Sequence, residues 1–189
     1  MEFLKIILLS VLAAVVYGIL HDQVTTRICV EYFTIGHPPV FYTDNPTLLS
    51  LGWGTIATWW VGFVLGIPLV LVSRLGSWPR FDAAHLARPI VCLQLITASM
   101  SLLAGIAGYF LARAGVIGLK GPLGFAVPPD KHVAFLVDAL AHLAAYGVGF
   151  VGGVILCLWV WIRRRQMAIE RRFHESRSEA CRTAKGNRT

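Results

Sequence analysis

The sequence predicts an all-α integral membrane protein: a four-helix bundle with both termini in the cytoplasm (N-in/C-in). Three observations predict it. Hydrophobic residues fill 56% of the 189 positions and charged residues only 14%, where a soluble domain carries about 25% charge; the mean hydropathy is +0.66. The apolar residues gather in four runs, each long enough at 1.5 Å per residue to cross ~30 Å of hydrocarbon. The basic residues gather at one end, the last 27 positions holding nine Arg or Lys against three Glu.

The first helix is expected over 3–20, interrupted only by Lys5, which lies near enough to the end to snorkel. A cleaved signal peptide is the rival reading. Its basic start and small residues fit, but no A-x-A site occurs and the run stays apolar to Leu20, so the segment is read as retained. The second helix, 48–72, carries no charge. Pro68 removes a backbone donor within it and predicts a kink. The third, 89–112, is also uncharged, and the fourth, 133–162, holds only Asp138. Residues 1–162 thus form the transmembrane domain. Residues 163–189 are a basic tail, read as a fraying helix or a disordered segment.

Orientation follows from Lys and Arg in the flanks. Placing Lys5, the 73–88 loop and the tail inside puts 13 basic residues in and four out. Arg163, Arg164 and Arg165 then form a lipid-facing anchor beside acidic headgroups. The bilayer is the expected partner. Nucleic acid is not, because no binding face accompanies the basic tail. The four cysteines (Cys29, Cys92, Cys157 and Cys181) show no CxxC or zinc spacing, and a structural disulfide is not expected.

Each helix carries a stripe of polar or small residues at helical spacing. Lipid is as apolar as Leu, so close backbone approach and hydrogen bonds must drive helix association. Gly62, Gly66, Gly105, Gly149 and Gly153 are expected to supply the first, and Gln94, Thr97 and Ser101 the second.

The ionisable residues gather at the outer face. His21 and Asp22 end the first helix, Glu31 and His37 follow in the loop, and His132, Asp138 and His142 lie on the fourth. Asp138 and His142 are one turn apart and can meet directly. One reading is a metal, haem or proton site, with imidazoles and carboxylates from two helices. The plainer reading is an Asp–His hydrogen bond that fastens helix four to helix one through His21–Asp22. No HxxxH or HExxH motif decides between them. The 21–47 loop mixes charge with aromatics and is expected to fold back over the helix ends as a lid or docking surface.

The pattern Tyr17-Gly18, His21-Asp22-Gln23, Thr26, Glu31-Tyr32-Phe33-Thr34, Gly36-His37-Pro38, Gly52-Trp53-Gly54 and Trp59-Trp60 resembles a group of small bacterial multipass membrane proteins. The resemblance covers the first third of the chain. It implies a bacterial inner membrane and transfers no role to any residue. The function expected is binding of a partner subunit, a second copy, or a small polar ligand or ion. A metal- or haem-dependent membrane enzyme and a transporter or proton-relay component are the alternatives at the same site.

Overall fold

The computed structural model describes residues 1–186, with side chains placed to Glu179 and at Arg182. The Cys181 side chain lies outside the described residues. The chain is α-helical, with no strand among the described residues: α1 (Glu2–Ile28), α2 (Val30–Thr34), α3 (Pro46–Ile56), α4 (Trp59–Arg74), α5 (Ala83–Arg113), α6 (Gly121–Ala126), a 3-10 turn at Pro129–Lys131, and α7 (His132–Gly186). Four helical stretches are long and apolar enough to cross a membrane: α1, α3 with α4, α5, and α7. Four such apolar helices mark a membrane protein. Its outside is apolar, as lipid requires: on α1 every fourth residue from Leu4 to Ile28 is an exposed Leu, Val or Ile. In water such a surface would aggregate.

Every span is longer than its apolar run. α1 continues two turns past Leu20 because Asp22, Thr25 and Thr26 are turned inward and buried; Thr26 shares a hydrogen bond with Ser50 of α3 at 2.9 Å. α5 starts at Ala83 rather than at Pro89, because Asp82 caps it by accepting from the His85 N–H. The second span is broken at Ala57–Thr58, while α4 runs on through Pro68. Thr58 Oγ1 turns back onto the Gly54 carbonyl, the local competition by which Ser and Thr disturb helices. The tail continues α7 as helix to Gly186.

α1 lies against α3 and α4, and α5 against α7; contacts of α1 with α5 and of α4 with α7 close the bundle. A Cβ built on Gly62 would lie 2.6 Å from the Ser10 carbonyl oxygen, and one on Gly54 2.6 Å from Ile19 Cα. These contacts set how closely α1 approaches its neighbours. Gly66, Gly105 and Gly153 also face other helices, with added Cβ atoms 3.0–3.5 Å from side chains. Gly149 differs from the packing expectation, since a Cβ there would meet nothing within 4 Å. The hydrogen-bond expectation is met by Ser101, whose hydroxyl donates to the Ala141 carbonyl at 2.8 Å. Thr97 instead bonds Leu93 of its own helix, and Gln94 reaches no other helix.

The bundle has two ends. At the tail end Ile6, Leu69, Val70, Phe81, Leu86, Ile90 and Val160 form an apolar core. Here Arg164 departs from the expected lipid-facing anchor: it is 2% exposed, and its guanidinium donates to the carbonyls of Val72, Leu75, Trp78 and Pro79. The freed carbonyls at the α4 C-terminus and the turn after it draw the cation inward. Arg163 and Arg165 stay exposed, Arg165 lying over the Trp161 ring. At the other end, the site end, Phe33, Leu49 and Trp53 form one small core and Cys29, Val127 and Phe135 another.

Candidate functional site

His21 and Asp22 do not end α1; they lie about 10 Å below its last residue at 1.5 Å per residue. From α7, His142 reaches across to them. The ligand atoms of His21, Asp22 and His142 all lie within 4.8 Å of one another. Asp22 is 5% exposed and His142 9%. The two imidazoles meet edge to face with centroids 4.5 Å apart.

Hydrogen bonding fixes how His142 is protonated. Its Nδ1 lies 2.8 Å from the Asp138 carbonyl; a carbonyl only accepts, so Nδ1 carries the proton. The other nitrogen, Nε2, faces Asp22 Oδ1 at 3.2 Å. A neutral imidazole would then point a lone pair at a carboxylate. The contact needs a cation between or upon the two groups, either a proton or a metal ion. Two ligands at ~2.1 Å from a metal stand about 3.0–3.4 Å apart at octahedral to tetrahedral angles, and the observed 3.2 Å falls in that window. Holding the second ring nitrogen on a backbone carbonyl is also how proteins orient ligating histidines. His21 Nε2 is buried with no hydrogen-bond partner, which leaves that nitrogen free to ligate.

The direct Asp138–His142 pair expected from i,i+4 spacing does not form, because His142 takes the main-chain carbonyl of Asp138 instead. The Asp138 carboxylate is 0% exposed, and neither of its oxygens has a partner. His37 donates Nδ1–H to the Tyr32 carbonyl at 2.8 Å and packs its ring on Trp53; it roofs the site rather than joining it. His132 lies elsewhere, with Nε2 on the Val127 carbonyl at 2.9 Å. Glu31 pairs with Lys131 at 3.5 Å and accepts from the Cys29 thiol. Burial works against the Glu31 charge, but its own backbone, Cys29 and Lys131 hold it below the usual carboxylate range. Burial pushes the Cys29 thiol up to about 12.

The 21–47 segment folds over the helix ends as the sequence led us to expect, but the sequence did not assign the individual ring contacts. Tyr32 lies over His142 at 4.6 Å, with Phe33 beside it at 5.6 Å, and Tyr17 stacks on His21. The mixture of aromatics and charge in residues 31–37 was their only local signal. The break at Ala57 leaves its carbonyl free, and the Tyr146 hydroxyl of α7 points to it at 3.4 Å. Below the histidines a chamber of about 140 Å³ runs between the helices, lined by Ser10, Ala14, Gly62, Leu65, Thr97, Gly149 and others.

No protein-family model, curated protein or solved structure matches this chain.

Proposed function

We propose that the chain is a bacterial inner-membrane protein that binds a divalent transition-metal ion at His21, Asp22 and His142, with the site end facing outward. The convergence of three ligand atoms within 4.8 Å, on the part-buried His21 and the buried Asp22 and His142, carries the reading. Imidazole with carboxylate suits zinc, iron, nickel or copper rather than calcium or magnesium. The two imidazole rings stand in edge contact, which leaves no room for a porphyrin plane between them, so a bare ion fits better than haem. The outward orientation rests on the basic residues, which concentrate at the tail end.

A metal-dependent enzyme is the second reading. It is favoured by the ligand count: three protein ligands leave a coordination position open, as catalytic sites do.

Metal mass spectrometry on protein purified without chelator or metal-affinity resin tests the binding. Wild type should carry about one ion per chain, and His21→Gln, Asp22→Asn and His142→Gln should each weaken it by more than the roughly 10–100-fold of a lost supporting contact. Asp138→Asn and Gln94→Ala should keep it. Metal-free wild type, or an ion that survives all three ligand changes, would overturn the assignment.

A further inference from the structure

The chamber opens from the His21–Asp22–His142 cluster toward the tail end. Its walls are mostly apolar, with Tyr17 and Gln94 the chief polar side chains beside the cluster itself. Ser10 Oγ donates to the Ile6 carbonyl, Thr58 Oγ1 to that of Gly54 and Thr97 Oγ1 to that of Leu93, so each hydroxyl proton is used within its own helix. Much of the remaining wall is small or aliphatic, as at Ala14, Gly62, Leu65, Leu93, Gly149 and Leu156. Gly149 has open space where its Cβ would be. Polar chemistry is therefore densest at one end of a largely apolar space, where His21 Nε2 lacks a partner.

Size decides what such a space can take. A cavity of roughly 150 Å³ walled by aliphatic and aromatic groups stays dry and holds one benzene ring; this chamber measures about 140 Å³. An acyl chain alone would leave the polar end unused. A sugar or amino acid would bury more polar groups than these few wall side chains can meet.

The way in lies on the lipid side. A second groove runs between α1 and α5, walled by the exposed Leu20, Val24, Leu95 and Leu102. Tyr17, His21 and Gln94 belong to both spaces, so one layer of side chains separates the chamber from the bilayer.

We infer that the chamber binds the ring of a lipid-soluble phenol, its oxygen toward His21, Asp22 and His142 and its apolar substituent leaving through the α1–α5 groove. This deepens the proposed function by naming the ligand class of the same site.

Fluorine NMR with para-fluorophenol on the full-length protein in lipid nanodiscs tests it. Fluorobenzene, the same ring without the oxygen, serves as reference, and each ligand is titrated with and without added zinc. The phenol should bind saturably, and fluorobenzene roughly tenfold more weakly, as one missing hydrogen bond or metal contact dictates. Gly149→Phe should abolish binding by filling the chamber. Gly147→Phe, at an exposed glycine of the same helix that does not line the chamber, should leave it intact. Should Gly149→Phe fail to fold, Ala145→Leu places bulk in the same chamber. Non-saturable phenol uptake, equal affinity for fluorobenzene, or binding that survives a chamber-filling change would overturn the inference. Metal content, read on the same samples, keeps the two proposals apart. Phenol bound by a protein that never takes up an ion sinks the metal reading alone, and an ion bound without phenol sinks this one alone.

Discussion

A methyl group added at Gly54 would sit 2.6 Å from both N and Cα of Ile19 and 2.8 Å from the Gly18 carbonyl carbon. Those are backbone atoms of α1, which cannot swing aside as a side chain can. Gly54→Ala should therefore lower stability by about 1–3 kcal/mol, the usual cost of overpacking, seen as a lower thermal midpoint in detergent. Gly149→Ala, into open space, should leave the midpoint unchanged or slightly raised, since Ala is the better helix former. Equal midpoints for Gly54→Ala and wild type would mean that α1 and α3 do not approach this closely. The contrast also marks how far the sequence was legible at this scale. Small residues at helical spacing identify candidate faces, but nothing in Gly149-x-x-x-Gly153 tells which glycine meets a helix and which borders a void. Likewise Asp138 and His142 satisfy i,i+4 spacing, yet the histidine bonds the main chain of one turn and the carboxylate of another helix. Spacing reports which groups can meet, while the neighbouring helix decides which do.

At the scale of elements, Arg164 joins α7 to the end of α4 and the turn that follows. Its guanidinium satisfies four carbonyls that no helix can serve. Arg164→Met strands those carbonyls in a buried site and should cost about 3–5 kcal/mol, the scale of breaking a buried charged contact. Arg164→Lys should rescue little, because an ammonium has three donors on a point charge and no planar fork. Arg163→Gln, at an exposed position, serves as control and should shift the thermal midpoint far less. A full rescue by Lys would show that charge alone matters there. In the sequence Arg164 is the middle of three identical residues, so only rotation about the helix, fixed by packing further up, separates it from its neighbours. The four spans themselves were legible because the cost of burying charge in lipid is large and sequence-local. Their ends were not: Asp22, Thr25 and Thr26 read as the end of an apolar run, whereas their partners on α3 and α7 let the helix continue. The span is interrupted at Thr58, a break not expected from the sequence, while α4 continues as helix through Pro68.

For the whole molecule, the distribution of basic residues predicts that reporter fusions within 75–81 and after Arg165 read cytoplasmic, and that fusions within 38–44 read external. A cytoplasmic signal from 38–44 would invert the protein and place the His21–Asp22–His142 cluster on the inner side. The two ends differ in kind. The tail end is a filled apolar core fastened by an arginine, while the site end is roofed by aromatics over a chamber. α7 runs through both without a break. Twenty-two residues separate His142 from Arg164, and twenty-two separate Arg164 from Gly186, about 33 Å each at 1.5 Å per residue. Arg164 thus lies midway between His142 and the end of the described helix. His142 and Arg164 therefore hang on one uninterrupted piece of backbone, whose rise per residue sets the spacing between the two ends of the protein.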